Sequence, residues 1–132
     1  MEKFFINLIE GSSIVPPENI SVSLYASFPE AINIEWFKKE VCFETIFYKD
    51  SIEYIALFDY LDGLLEYKMN LPKNYMPEKI KSELEVLGEI MNAVMINKGN
   101  RITYEIIIRD KEFKRSLLLL NEWGDVLTEK KL

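Results

Sequence analysis

The fold of this chain is decided by the stretch 56-ALFDYLDGLL-65, which returns in altered form as 118-LLLNEWGDVL-127. In each stretch an apolar run enters a short polar segment, and a second apolar run leaves it. The polar segments contain Asp62-Gly63 and Gly124-Asp125, and these residue types tolerate the positive φ that tight hairpin turns need. Both stretches therefore predict β-hairpins, and the remaining sequence is arranged around them.

Composition and charge exclude several classes of function. The chain has 132 residues with 48% hydrophobic and 13% aromatic content, which is enough for one folded domain. Its net charge of −6 repels phosphate backbones, so nucleic acid is not an expected partner. The sequence contains one cysteine, Cys42, and no histidine. An internal disulfide, thiolate–imidazole catalysis and most zinc sites are therefore excluded, Cys42 is predicted to be a buried small hydrophobe, and no cofactor is expected.

The first fourteen residues are ambiguous. Phe4, Phe5, Leu8 and Ile9 have the spacing of an amphipathic helix, while 4–6 also suits a strand. The apolar run here is too short for the core of a signal peptide or for a membrane span, so no membrane span is expected. We treat 1–14 as a segment of uncertain structure that precedes the domain.

The rest of the chain reads as a helix followed by four strands, twice. Each helix begins at a Pro-Glu pair, Pro17-Glu18 and Pro77-Glu78, and the first is stopped by Pro29 while Gly88 caps the second. Alternation of apolar residues then predicts strands at 32–36, 41–47, 52–58 and 64–71 in the first half, and at 90–96, 101–108, 113–120 and 126–130 in the second.

The two halves align on each other, which indicates duplication. The helices match at an offset of 60 residues, Phe43-Glu44 matches Tyr104-Glu105 at 61, and Asp59 matches Asn121 at 62. Slips of one or two residues that fall in turns are what duplication of one supersecondary unit would leave. We predict an α+β fold made of a duplicated α-β-β-β-β unit, with repeats at 15–74 and 75–132. It forms one antiparallel sheet of about eight strands with two helices packed on one face.

Several weak motifs, taken in their order along the chain, resemble the sequence pattern of a known family. These motifs are Val15-Pro16-Pro17-Glu18, Phe28-Pro29-Glu30-Ala31, Trp36, Phe43-Glu44-Thr45 and the hairpin from Phe58-Asp59 to Asp62-Gly63. Together they resemble the PepSY-like, beta-lactamase-inhibitor-protein-like (BLIP-like) family. The resemblance covers residues 15–132 and implies a duplicated unit with a four-stranded antiparallel sheet.

The resemblance also bears on location and role. Members of the family are usually small secreted or periplasmic bacterial proteins, and the namesake inhibitor clasps an enzyme with its concave sheet face and hairpin loops. The resemblance implies a periplasmic or secreted location if a signal peptide was removed, and a cytoplasmic one if Met1 is the native start. Enzyme inhibition carries over poorly, because the inhibitor's paired cysteines are missing and the second half has 88-GEIM-91 in place of the Phe-Pro-x-Ala sequence.

The alternation along each strand assigns its residues to two faces. The helix-covered face is predicted to hold Ile32, Ile34, Trp36, Val41, Phe43, Phe47, Tyr54, Phe58, Leu65, Tyr67, Met69, Tyr104, Ile106 and Ile108. The opposite, open face mixes apolar side chains with carboxylates, a pattern that suits a partner with basic groups. The candidate contact residues are Glu35, Glu44, Ile46, Tyr48, Ile55, Leu57, Glu105, Ile107 and, at a turn tip, Trp123.

We therefore predict a noncatalytic protein- or peptide-binding module, inhibitory or regulatory in role, that uses the open face. A solvated acidic face without a partner and a homodimer built through this face both remain open. The alternative function is a small-ligand-binding protein or a weak hydrolase using Glu35, Glu44 or Glu105, which requires a closed pocket. The Asp59 to Gly63 segment lacks the ligand count of a calcium loop and is read as a turn.

Overall fold

The computed structural model describes residues 14–132, so the ambiguous segment at 1–14 lies outside the described residues except for Ile14. Two helices are present, α1 (Glu18–Ser27) and α2 (Glu78–Leu87), with a short 3₁₀ helix at Lys73–Tyr75. The strands are β1 (Ile32–Lys38), β2 (Phe43–Lys49), β3 (Ile52–Phe58), β4 (Leu64–Asn70), β5 (Glu89–Lys98), β6 (Arg101–Arg109), β7 (Arg115–Asn121) and β8 (Val126–Lys131).

The eight strands form an open antiparallel sheet in which each strand pairs with its neighbours in the sequence. This confirms the predicted α+β class with eight strands and two helices. Contacts divide the chain into two compact units, Met1–Tyr67 (unit 1) and Lys68–Leu132 (unit 2). Each unit is described by itself below.

Both helices begin where the sequence predicts. Pro17 and Pro77 precede the first helical residues Glu18 and Glu78, whose carboxylates lie at the positive end of the helix. The second helix ends at Leu87, and Gly88 is the single residue that joins α2 to β5. A Cβ on Gly88 would lie 2.6 Å from the carbonyl oxygen of Arg109, so the close approach of helix end and strand requires glycine here.

The core of unit 1 lies between α1 and one face of β1–β3. Ile20 and Leu24 of α1 are fully buried against Trp36, Phe47 and Phe58. Aromatic rings fill much of the space: Phe47 stacks on Tyr54 with 5.2 Å between ring centroids. Among the residues predicted for this face, Ile34, Phe43 and Tyr67 also belong to or pack on the cluster.

Three residues predicted for that core lie in solvent instead. Ile32 is 58% exposed because a β-bulge at Asn33, with φ of 54°, places two residues of β1 opposite one of β2 and turns Ile32 toward the other face. Val41 is 75% exposed because it belongs to the β1–β2 turn, which Lys39 closes by donating its N–H to the carbonyl of Cys42. Leu65, next to the β3–β4 turn, is exposed and takes no part in the cluster.

Unit 2 has a core of its own, built from α2 and β5–β7. Ile80 and Leu84 of the helix pack on the predicted residues Tyr104, Ile106 and Ile108, joined by Met76, Ala93, Leu118 and Leu120. A second bulge falls between Ile90 and Asn92, in the strand that follows α2. The seventh strand begins at Arg115, later than the predicted residue 113, because Phe113 belongs to the preceding turn.

Candidate partner-binding face

The candidate residues of unit 1 form one continuous patch on the face opposite α1. Glu44, Ile46 and Tyr48 alternate along β2 and so point to the same side of the sheet. Pairing places Glu35 of β1 opposite Ile46, while Ile55 and Leu57 of β3 lie opposite Ile46 and Glu44. The register therefore brings together all six residues that the sequence nominated in this half.

The side chains at the centre of this patch are buried and are not accessible to solvent. Ile46 and Ile55 are 7% and 3% exposed and form a buried cluster with Phe37, which is 2% exposed. Glu44 is also buried, at 4%. The expectation that Glu44, Ile46 and Ile55 lie in the open is therefore wrong, and contacts with a partner fall to the residues around them.

One corner of the unit 1 patch is partly exposed. It consists of Ile32, Glu35, Tyr48 and Glu53, and we call it the acidic corner. Ile32 and Tyr48 are directly paired across β1 and β2, while Tyr48 faces Glu53 across β2 and β3. The bulge at Asn33 is what brings Ile32 to this side, so the sequence alternation alone could not find it.

Negative charge at the acidic corner acts on Tyr48. Its hydroxyl donates a hydrogen bond to Oε2 of Glu53 over 3.2 Å. The charge of Glu53, followed by burial and that hydrogen bond and then the charge of Glu35, raises the pKa of Tyr48 above its ordinary value. The corner thus combines an apolar surface with a local negative potential.

In unit 2 the face opposite α2 carries a strip of half-buried apolar side chains around one carboxylate. Glu105 and Ile107 alternate along β6, as predicted. Their cross-strand partners are Val94 and Leu119 for Glu105, and Leu117 for Ile107. No hydrogen bond or ion pair of the Glu105 side chain is found within residues 14–132. We call Val94, Glu105, Ile107, Leu117 and Leu119 the apolar strip.

Sequence reasoning missed three of the five residues of this strip, Val94, Leu117 and Leu119. Four leucines in succession, 117–120, carry no period-two signal, so their faces cannot be read from the sequence. Pairing decides them: Leu118 and Leu120 enter the core with Ile106, while Leu117 and Leu119 lie on the other side. Val94 could have been found from its spacing with Asn92 and Ile96 in the predicted strand 90–96.

Cations surround the apolar strip. Lys98 and Arg101 pair directly across the β5–β6 hairpin, and Arg109 and Arg115 pair across β6 and β7. Arg109 is engaged by a salt bridge of 2.6 Å to Glu89 and stands 5.4 Å from the ring centroid of Phe113. Like charges directly opposite each other destabilise a strand pair, so these positions favour an anionic neighbour.

The two hairpin turns that opened the sequence analysis have the same geometry. Oδ1 of Asp59 accepts the N–H groups of Leu61 and Gly63, and Oδ1 of Asn121 accepts those of Trp123 and Asp125, all at 2.9 to 3.0 Å. The fourth residue has positive φ in both, 79° at Asp62 and 92° at Gly124. Asp62 therefore takes the left-handed position in the first turn, and Gly124 takes it in the second. This is why the order of Asp and Gly is exchanged between the two turns.

A third turn of this kind joins β6 to β7. Oδ1 of Asp110 accepts the N–H groups of Glu112 and Lys114, and Phe113 takes the left-handed position with φ of 64°. The sequence predicts a turn here but not its type, because Phe rarely adopts positive φ. Trp123, at the tip of the β7–β8 turn, is 66% exposed, and Gly124 lies against Ile80 of α2.

The cavities described within residues 14–132 do not include the candidate carboxylates. The largest cavity described, about 550 Å³, lies in unit 2 and is lined by Lys73, Glu85, Gly88, Glu89, Ile90, Arg109, Asp110, Lys111 and Phe113. Glu35, Glu44 and Glu105 line none of the cavities described within residues 14–132. Over residues 14–132 no group of three or more potential metal ligands is found, and Cys42 is buried as predicted. In that same part of the chain no helix is long and apolar enough to span a membrane.

Solved structures share this architecture. No family model and no curated protein matches the chain. A BLIP-like protein from Bacteroides fragilis NCTC 9343 superposes with a TM-score of 0.76 and 21% identity, over 90% of this chain and 88% of that one. The chain has a BLIP-like fold.

Two further solved structures share the architecture of this chain. A DUF2874 family protein from Bacteroides ovatus ATCC 8483 has a TM-score of 0.75 and 12% identity over 89% of both chains. A protein from Bacteroides eggerthii DSM 20697, provisionally described as periplasmic, has a TM-score of 0.76 and 13% identity over 89% of this chain and 90% of its own. At these identities the similarity shows a shared fold only. The function has to be inferred from the candidate site.

Proposed function

We propose that this chain is a noncatalytic protein-binding module whose contact surface is the sheet face opposite the helices. The observation that carries the proposal is the apolar strip of unit 2, in which Val94, Ile107, Leu117 and Leu119 are only half buried around Glu105. Partly exposed apolar side chains that adjoin on one surface mark contact sites. Glu105 in their midst favours a partner that presents a basic group.

Several features support binding in preference to chemistry. The carboxylates that would act as acid and base line no described cavity, whereas Trp123 offers an exposed aromatic side chain of the kind that anchors interfaces. Unit 1 presents Tyr48 and Leu57 on its own sheet face, beside the buried Ile46 and Ile55. The BLIP-like description of one structural neighbour agrees with a binding role.

The proposal is tested with a variant of the apolar strip. Tagged protein is used to capture partners from periplasmic and cytosolic fractions, which are identified by mass spectrometry, and the affinity for the purified partner is then measured by calorimetry. Ile107→Ser with Leu119→Ser should weaken that affinity at least about tenfold, which corresponds to about 1.4 kcal/mol. The matched control is Val22→Ser with Val86→Ser, two exposed residues on the helices. Equal affinity of the strip variant and the control would overturn the proposal.

Two finer proposals concern origin and location. We infer that the units arose by duplication, with repeats at 15–74 and 75–132 as in PepSY-like proteins. Support comes from two ten-residue helices after Pro-Glu starts, each followed by a strand with a bulge near its beginning.

A periplasmic location agrees with the description of the Bacteroides eggerthii neighbour. Fractionation of the native cells tests the location, and recovery in the cytosol alone would contradict it.

A further inference from the structure

Phe113 occupies a turn position that is unfavourable for its residue type. Three turns of this chain share one geometry, and in each of them the fourth residue takes positive φ. Asp62 and Gly124 hold this position in two of the turns, and both residue types adopt the left-handed conformation more readily than most. The β6–β7 turn has Phe113 there with φ of 64°, where a bulky side chain is strained. The turn itself therefore does not explain the choice of Phe.

Packing within unit 2 does not explain Phe113 either. Its side chain is 75% exposed and belongs to none of the buried clusters. The ring has a cation–π contact with Arg109, whose guanidinium carbon lies 5.4 Å from the ring centroid, and such a contact is weak at an exposed site. Strained residues are retained where they serve a function, so the ring points to a role at the surface that it forms.

The ring of Phe113 lines the largest cavity described within residues 14–132. The volume of this cavity is about 550 Å³, inside the range of about 300 to 1,000 Å³ that is usual for small-molecule pockets. Its walls come from the 3₁₀ helix, the end of α2, the start of β5, the end of β6 and the β6–β7 turn, all of which belong to unit 2. No residue of the apolar strip lines it, so the cavity is separate from the proposed contact surface.

Charged side chains of both signs line this cavity in equal number. They are Lys73, Arg109 and Lys111 on the positive side, and Glu85, Glu89 and Asp110 on the negative side. Arg109 is paired with Glu89 at 2.6 Å, and Oδ1 of Asp110 accepts two N–H groups of its own turn. The cavity is thus formally neutral, but its charges are unequally engaged.

Three of these charged groups are left for a ligand. For the side chains of Lys73, Lys111 and Glu85, no ion pair or hydrogen bond is found with any of residues 14–132. Glu85 lies in the last turn of α2, where the negative end of the helix dipole adds to its attraction for a cation. The two lysines attract an anion. A molecule that engages all three groups carries one positive and one negative charge.

We propose that this cavity binds a free aromatic α-amino acid in its zwitterionic form. The carboxylate of the ligand pairs with Lys73 and Lys111, its ammonium group pairs with Glu85, and its ring packs on Phe113 beside Ile90. Charge-assisted hydrogen bonds at both ends orient the ligand, and the contact between aromatic rings supplies buried apolar area. This site goes beyond the proposed function and does not rest on it.

Four small molecules test which groups of the ligand are recognised. L-phenylalanine has all three groups, phenylpropionate lacks the ammonium, phenethylamine lacks the carboxylate, and glycine lacks the ring. Binding to the full chain is followed by two-dimensional NMR of the backbone amides. L-phenylalanine should give saturable shifts at Gly88, Lys111 and Phe113. Each of the other three should bind at least about tenfold more weakly, because one group of the site is then left without its partner.

A substitution of Phe113 separates ligand binding from stability. Phe113→Asn removes the ring and supplies a residue type that tolerates positive φ. It should weaken the binding of L-phenylalanine at least about tenfold and raise the midpoint of urea unfolding, because the strain of the turn is relieved. The matched control is Leu61→Asn, which changes an exposed apolar residue of the β3–β4 turn and should leave binding unchanged.

Substitutions of the charged groups assign each end of the ligand. Glu85→Gln should weaken the binding of L-phenylalanine about tenfold and leave that of phenylpropionate unchanged, because the latter has no ammonium group. Lys73→Gln with Lys111→Gln should weaken both of these compounds and spare phenethylamine. The control, Lys79→Gln with Lys130→Gln, removes two exposed lysines that line no described cavity and should bind as the wild type does.

Three results would overturn the proposal: no saturable shift with L-phenylalanine, equal affinity for the four compounds, or unchanged binding in Phe113→Asn. A lower midpoint of unfolding in Phe113→Asn would also count against it, because the ring would then serve the stability of the turn. None of these results bears on the apolar strip. Loss of partner affinity in Ile107→Ser with Leu119→Ser is measured on a different surface and leaves the cavity as it is.

Discussion

A single side-chain oxygen organises each of the three similar turns. Asp59, Asp110 and Asn121 each use Oδ1 to accept two backbone N–H groups of their own turn. Both a charged and a neutral residue occur at this position, since carboxylate and amide oxygens can each accept hydrogen bonds. We therefore expect that the turn requires an acceptor of this length and that the negative charge of Asp59 is dispensable.

Substitutions of Asp59 test whether the turn needs the hydrogen-bond acceptor or the negative charge. Replacing Asp59 by Ala removes two hydrogen bonds and should lower the free energy of unfolding by about 1 to 2 kcal/mol. Replacing it by Asn keeps the acceptor, as Asn121 does at the equivalent turn, and should change stability by less than about 0.5 kcal/mol. Urea unfolding followed by circular dichroism measures both. If Asp59→Asn proved as destabilising as Asp59→Ala, the charge rather than the acceptor would be what matters.

At the scale of one element, strand β6 separates the two faces of unit 2 residue by residue. Ile106 is fully buried under α2, whereas its neighbour Ile107 lies half exposed on the apolar strip. The chemical change Ile→Ala is the same at both positions. Any difference between the two losses of stability therefore comes from the different surroundings of Ile106 and Ile107.

We expect Ile106→Ala to lower the free energy of unfolding by about 2 to 5 kcal/mol, because it leaves a cavity in the core. Ile107→Ala should cost less than half as much, because part of its side chain is already in water. Chemical denaturation of the two variants side by side gives the comparison. Equal losses would mean that Ile107 is as deeply packed as Ile106, and the strip would no longer qualify as a binding surface.

Element boundaries and faces were predictable wherever the apolar pattern was regular. Pro-Glu starts located both helices, and strict alternation placed Trp36 and Ile106 in the cores. The prediction was wrong where geometry breaks the alternation, as at Ile32, which the bulge at Asn33 turns outward. A bulge leaves no trace in hydropathy, because it depends on one residue's φ rather than on its polarity.

For the molecule as a whole, the two apolar cores are separate. The cluster under α1 and the cluster under α2 have no residue in common. Cys42, the chain's one cysteine, is buried in unit 1 at 7% exposure and is the only thiol available to report on opening. Its modification rate therefore measures the stability of unit 1 within the intact chain.

Matched core substitutions test whether the cores are energetically separate. Phe47→Leu in unit 1 should accelerate modification of Cys42 about fivefold, as expected for a loss of about 1 kcal/mol. Ile106→Val in unit 2, which costs about 0.5 to 1.5 kcal/mol, should leave the rate within about twofold. The rate is followed with a thiol reagent under native conditions. Equal acceleration by both substitutions would show that the chain opens only as one cooperative body.

Which residues share a face of the sheet was predictable, whereas the accessibility of those residues was not. Parity grouped Glu44, Ile46 and Ile55 correctly with their neighbours, and pairing confirms that grouping. That these three are buried could not be predicted, because burial depends on what packs over a face and parity gives only the side of the sheet.

The recurring turn also makes parts of this protein exchangeable. In all three turns the side-chain oxygen of one Asp or Asn accepts backbone N–H groups, and no side chain at the second or third position takes part in these hydrogen bonds. Tyr60 is tied down by hydrogen bonds to the carbonyls of Lys39 and Glu40, but none is found within residues 14–132 for the side chains of Glu122 and Trp123. Positions 122 and 123 can therefore accept foreign dipeptides without altering the hairpin. The β7–β8 turn is a natural place to graft a recognition sequence or a spectroscopic label onto this scaffold.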